Sequence, residues 1–189
     1  MNKVKFGLRN VYYSKITVGE DGQYSYATPV AIPGAVNLSL SPTGDTNDFY
    51  ADDVIYYSNT TNQGYEGDLE IALIPESFLT DIMGVIKDTN GALVENADAK
   101  SSSFALGFEV QGDEKGRRTW LYNCSASRSN QDASTKESSA TPSTETLTLK
   151  AMPRLNDLAV KASLELNDEN ATTFNSFFTE VYELVEVSI

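Results

Sequence analysis

Apolar and polar positions alternate along much of this chain, and that alternation predicts strands. Val4, Phe6 and Leu8 alternate with Lys3, Lys5 and Arg9 as an amphipathic strand. After residues 11–18 the run Gly19-Glu20-Asp21-Gly22 predicts a turn, with residues 23–27 returning as a hairpin partner. Pro29 and Pro33 restrict the next segment to an edge or a bent strand. Val36, Leu38 and Leu40 alternate again. Residues 41–64 are polar around a β-prone centre, Val54-Ile55-Tyr56-Tyr57, which predicts a long extended hairpin or loop.

Beyond it, Leu69, Ile71 and Leu73 face one way and Glu66, Asp68 and Glu70 the other, as on a half-buried strand. Pro75 suits a helix start, and Phe78, Leu79, Ile82, Met83 and Ile86 fall on one helical face. Asn90-Gly91 predicts a turn. Residues 104–127 predict a hairpin turning at 111–116. Residues 125–144 are Ser/Thr-rich and predict a mobile loop. Strands are expected around Leu147, Leu149 and Ala151 and across Leu158, Val160, Ala162, Leu164 and Leu166. A last helix is expected, capped at Asn167 or Asp168, with Phe174, Phe177, Phe178, Val181 and Tyr182 at helical spacing; residues 185–189 could add an edge strand. Seven or eight strands with one or two short flanking helices predict a mainly β protein with antiparallel sheets packed face to face, sandwich- or barrel-like. The expected organisation is one domain over residues 1–189, with residues 1–15 as an N-terminal arm or strand.

Charge changes the picture. The 189 residues carry 27 acids against 14 bases, a net −13, which repels nucleic-acid phosphates. Residues 16–86 contain no Lys or Arg, while Lys3, Lys5, Arg9 and Lys15 stand in a first stretch without acids. A basic end on an acidic body suits heterologous, head-to-tail association; within one domain the same features merely close a sheet. With no histidine, His-based acid–base chemistry, Ser-His-Asp and Cys-His nucleophiles and most transition-metal sites drop out. The single Cys124 excludes an internal disulfide and reads as a small buried apolar group. No apolar run follows Lys3 and Lys5 as in a secretory signal, and no stretch is long enough for a membrane helix.

Candidate chemistry is sparse. Glu66, Asp68 and Glu70 stand about 7 Å apart in steps of two, a spacing open to paired-carboxylate hydrolysis, but a solvated strand face explains them better. Asp45, Asp48, Asp52 and Asp53 lack the calcium-loop pattern and read as loop acids. Lys115, Arg117 and Arg118 read as salt-bridge partners, and Tyr12, Tyr13, Tyr24 and Tyr26 as sheet packing rather than an aromatic platform. No catalytic, cofactor or metal site is assigned. A carbohydrate- or protein-binding β-sandwich and a carboxylate-dependent hydrolase are the competing functions.

The segment from Gly64-Tyr65-Glu66-Gly67-Asp68-Leu69-Glu70-Ile71 through Pro75, Phe78 and Ile82 resembles the strand-to-helix segment of the phi13-type phage major tail proteins. The opening Lys5-Phe6-Gly7-Leu8-Arg9-Asn10-Val11-Tyr12-Tyr13 resembles their start, and Phe104-Ala105-Leu106-Gly107-Phe108, Trp120-Leu121-Tyr122 and Phe177-Phe178-Thr179-Glu180-Val181-Tyr182 follow in the same order. The resemblance implies a structural virion protein of a long non-contractile tail, made in the bacterial cytoplasm. It implies hexameric rings stacked into a tube that DNA crosses without specific binding, and tape measure, tail terminator and baseplate proteins as partners. Tail-like bacteriocins use similar subunits. On this reading Lys3, Lys5, Phe6, Arg9, Val54, Ile55, Tyr56 and Tyr57 are assembly-interface candidates. Asp45, Asp48, Asp52, Asp53, Glu66, Asp68 and Glu70 are candidates to face the lumen.

Overall fold

The computed structural model describes residues 2–131, 133, 135 and 142–185. In chain order the elements are β1 (Lys5–Val18), β2 (Tyr24–Tyr26), β3 (Val30–Ile32), β4 (Ala35–Thr43), β5 (Thr46–Ala51), β6 (Val54–Thr60), β7 (Gly64–Ile71), α1 (Glu76–Asp81), β8 (Ile86–Lys87), β9 (Leu93–Val94), β10 (Phe104–Gly112), β11 (Gly116–Ala126), β12 (Glu145–Ala151), β13 (Lys161–Glu165) and α2 (Ala171–Ser176). The mainly β, antiparallel expectation holds. A nine-stranded sheet runs β2-β1-β10-β11-β12-β7-β4, with β3 also on β1 and β13 also on β11.

Two bulges bend β1, at Gly7 (φ 75°) and at Asn10 (φ 53°), where the register against β10 slips. Bulges increase strand twist. Together with the sheet's own twist they curl it until β4 returns beside β1, although no ladder joins the two. The concave side holds the main core: Val11, Tyr13, Leu69, Ile71, Leu106, Leu121, Leu147 and Leu149. The single-turn helix α1 is too short to stand alone. It is held because Phe78 and Ile82 are fully buried and Phe78 packs edge-on against Tyr13 and Phe104.

A second cluster lies on the opposite face. Ala105, Trp120 and Tyr122 are covered by Phe177 and Val181 from the segment after α2. Side chains tie this segment down by its carbonyls: Trp120 Nε1 donates to Phe177 O at 2.7 Å and the Tyr122 hydroxyl to Tyr182 O at 2.7 Å. Arg154, itself buried, donates to Glu183 and Asp157. Burial alone would lower the Arg154 pKa, but those acceptors and Tyr26 outweigh it and push it up, so the guanidinium stays charged.

Several local expectations are corrected. The strand expected to include Leu73 ends at Ile71, and Leu73 turns outward ahead of Pro75. Ile86 is not on α1; the helix stops at Asp81, Gly84 turns the chain at φ 73°, and Ile86 enters the small β8–β9 hairpin. Leu158 is not in a strand: it sits at φ 59° in the turn closed by Arg154, exposed, and β13 begins at Lys161. The last helix ends at Ser176, so Phe177, Phe178, Val181 and Tyr182 reach their places through turns. Its N-cap is Asn170; Asn167 instead accepts the backbone N–H groups of Glu169 and Asn170. Of the two alternatives for the N-terminal segment, arm or strand, residues 5–15 take the strand, since β1 pairs with β10 from Lys5 to Lys15. Val185 lies outside any strand, and residues 186–189, like part of the expected 125–144 loop, lie outside the described residues.

Candidate assembly surfaces

Three surfaces carry the residues singled out in the sequence. The first is the outer face of β4-β7-β12. Register sets Asn37, Ser39 and Ser41 beside Glu70, Asp68 and Glu66, and these beside Thr146, Thr148 and Lys150. The nine side chains form three aligned rows, all outward, while Leu38, Leu40, Leu69, Leu147 and Leu149 point into the core. Period-two patterning on three adjacent strands makes this face polar throughout. Three carboxylates stand on it against one lysine. Thr148 donates to Asp68 at 2.8 Å and Thr144 to Glu70 at 2.6 Å.

Gly67 lies between Asp68 and Glu66 on β7, in the inward-facing row with Leu40 and Leu149. A Cβ there would collide with the backbone carbonyl of Ser39 on β4. The close approach of β7 to β4 therefore requires glycine. Gly67→Ala is expected to lower unfolding free energy by about 1–3 kcal/mol, as overpacking does, measured by urea denaturation. An unchanged midpoint would show that β4 moves aside without cost.

The second surface is the tip of a long ribbon. β4 continues into β5 and β6 into β7, with backbone bonds Gln63 N–H to Thr43 O and Thr61 N–H to Asp45 O bridging the junction. The turn Asp52-Asp53 has both residues at positive φ (51° and 58°), the two-residue turn whose twist matches antiparallel strands. From Thr46 to Thr60 every residue except Ala51 is exposed, so the ribbon's distal half leaves the body. It nevertheless carries Phe49, Tyr50, Val54, Ile55, Tyr56 and Tyr57, with Tyr56 at 73% exposure. Asp45, Asp48, Asp52 and Asp53 are strung along it rather than gathered; Asp48 accepts from Ser58 at 2.6 Å.

The third surface is a groove of about 800 Å³ between the first half of β1 and β4. Val4, Phe6, Leu8, Val36, Leu38 and Leu40 supply the apolar lining on its β1 and β4 sides. Both of its walls are unpaired strand edges. Among the described residues β1 has no ladder partner on that side from Lys5 to Asn10, and β4 is paired only to β7. Val4 and Phe6 are each 58% exposed, so the amphipathic strand read in the sequence leaves these two apolar residues uncovered, while Leu8 packs partly buried against the main core.

The remaining candidates are engaged within the subunit. Arg9 and Arg118 flank Glu109, a residue not singled out from the sequence and only 1% exposed. Arg9 Nε and Asn10 Nδ2 donate to it at 3.0 Å and Arg118 Nε at 2.9 Å. Burial alone would raise its pKa; the three donors outweigh burial and hold the carboxyl below its ordinary value. Arg117 pairs with Glu165. Tyr12 stacks on Phe178 and Tyr13 lies in the core. Burial pushes the Cys124 thiol up to about 12. No His/Cys/Asp/Glu group with metal-ligand spacing occurs among the described residues.

The comparisons with known proteins bear on these surfaces. No curated protein matches the chain. A family model described as "Phage tail tube protein" matches residues 1–180, nearly the whole length. That family is structural and not enzymatic, and it places its members in the virion tail. No helix among the described residues is long and apolar enough to cross a membrane. The curled antiparallel sheet, the in-register polar face and the exposed ribbon belong to a tail subunit: the chain is a member of the phage tail tube protein family.

Proposed function

We propose that copies of this chain form rings, hexameric as in related tails, that stack into the tail tube and give DNA its path during ejection. The observation that carries this reading is the outer face of β4-β7-β12. It is continuous, polar across three strands and predominantly acidic, with Glu66, Asp68 and Glu70 in one row. A bore lined by such a face offers DNA hydrogen-bonding water and electrostatic repulsion, so the phosphate backbone slides without being held. The ribbon and the groove lie on other parts of the subunit and supply the contacts between copies. By family analogy the bore holds a tape measure protein, and the tube ends meet terminator and baseplate proteins.

Electron microscopy of the purified protein, and of the protein co-expressed with its tail genes, tests the assembly. Stacked rings or tubes are expected; dispersed monomers in both preparations at high concentration would overturn it. The bore assignment has its own test. The triple variant Glu66→Gln, Asp68→Asn, Glu70→Gln is expected to form tubes normally, because these side chains make no core contacts. Tubes of the variant should retain short DNA in filter binding at low salt, whereas wild-type tubes should not. Equal retention by both would place these acids away from the bore.

A further inference from the structure

The groove between β1 and β4 is charged as well as apolar. Its charged lining residues are Lys3, Lys5, Arg117 and Lys161, with no Asp or Glu among the lining residues. In a chain with nearly two acids per base, that is a local inversion. The ribbon tip carries the opposite pattern. Asp45, Asp48, Asp52 and Asp53 lie on it, and no Lys or Arg occurs anywhere in residues 16–86. The two surfaces match in a second respect. The tip presents six large apolar or aromatic side chains to solvent, and the groove presents Val4, Phe6 and Val36 at its mouth. They match in a third: among the described residues β5 and β6 pair only with each other, so each has a free outer edge, and the groove is walled by two free edges. A strand laid along such an edge gains a ladder of main-chain bonds.

We infer that the β1–β4 groove is the receptor for the β5–β6 tip of a second copy, bound by strand addition with basic groove walls facing the acidic ribbon. The ribbon does not fill its own groove: apart from Ala51 its residues 46–60 are exposed, and none of them is among the residues that line the groove. Six-residue strands reach roughly 20 Å past the sheet, enough to enter a neighbouring subunit. The contact is heterologous: one copy's tip meets another copy's groove, and every subunit is left with one of each still to satisfy. This assignment rests on the ring-and-tube reading and names the surface that joins the copies.

Two pools test it, one carrying Tyr56→Cys on the tip and one carrying Phe6→Cys in the groove. Buried Cys124 stays silent toward thiol reagents in both. The pools are mixed, assembled and treated with a short bismaleimide. A cross-linked pair joining Tyr56→Cys to Phe6→Cys is expected, and a control pool with Leu155→Cys, outside the groove, should give none. Because opposite charges meet, the yield should fall as salt rises from about 0.1 M to 1 M and the screening length shortens from ~10 Å to ~3 Å. Charge reversal supplies the second measurement. Lys5→Glu with Lys161→Glu, both at exposed positions, should raise the concentration needed for tubes about tenfold, with an unchanged melting curve. Asp48→Lys with Asp52→Lys in the same chain should restore assembly. Wild-type tubes that yield no tip-to-groove pair, or a charge-reversed groove that assembles normally, overturn the assignment while leaving the tube reading intact. A wild-type chain that never forms tubes sinks the tube reading instead.

Discussion

Trp120→Ala is expected to lower the unfolding free energy by about 3–5 kcal/mol, the usual range for truncating a fully buried large aromatic. The indole is inaccessible to solvent, lies over Gly107 where a Cβ would come within 2.7 Å of the ring, and meets Phe178 edge-on. It is also the donor that fixes the segment after α2 through Phe177 O. Loss of the ring therefore opens a cavity and frees a strap at once. Trp120→Phe separates the two effects. It keeps most of the packing and loses the N–H bond, so it should cost less than Trp120→Ala while still raising amide exchange in residues 177–183. Urea denaturation and hydrogen exchange read the two quantities. A Trp120→Ala protein with a wild-type midpoint would show that this cluster adds nothing to the fold.

Glu109→Ala is expected to cost about 3 kcal/mol, or roughly 6–12 °C in melting temperature for a chain of this size. The change leaves Arg118, mostly buried, without its carboxylate. The value sits at the low end of the range for broken buried pairs because Arg9 is half exposed and can be rehydrated. Arg118 extends the effect: its guanidinium lies 4.2 Å over the Phe174 ring and donates to Phe174 O, so it joins the ion cluster to the C-terminal strap. The pH dependence follows from the lowered pKa. A carboxyl whose folded value is depressed contributes stability that is complete above the unfolded value. That stability is lost as pH falls through the folded value. The advantage of wild type over Glu109→Gln should thus be full at pH 7 and shrink once pH drops below the ordinary 4.5. An advantage that grows toward acid pH would mean that the carboxyl is protonated in the fold.

These two residues also mark what the sequence conceals. Alternation of Phe104, Leu106, Phe108 and Val110 identifies one face of β10 and leaves the environment of Ala105, Gly107 and Glu109 open. In the fold Ala105 and Gly107 lie under Trp120 and the segment after α2, and Glu109 is held by Arg9, Asn10 and Arg118. A local period describes one strand; it carries no information about what folds back onto the other side. The β10–β11 hairpin, β7 and the 41–64 ribbon were legible because each depends on neighbouring residues: alternation, a short turn, β-branched and aromatic content. The overextended readings have the opposite cause. Leu158 and Ile86 fit a period by composition, but a turn tied by Arg154 and a positive φ at Gly84 interrupt it. Phe177 and Val181 keep helical spacing although their burial is reached through turns, because the strap must follow the sheet surface. Of the candidate site residues, Glu66, Asp68 and Glu70 share one face as their spacing required. The hairpin acids lie on a different element, and Arg9 is engaged by Glu109.

The ribbon from β4 through β7 has one further mechanical property. Beyond Thr43 and Gly64 it is two strands wide and has no packed layer on either side. Its resistance to flexing comes only from one ladder, whereas deforming the body means repacking a dense interior. Compliance is thus concentrated in a thin lever outside the rigid mass. If copies join through such levers, as proposed above, their bodies would tilt relative to one another while each interior stays undisturbed, and a long column of them would curve under load and spring straight again.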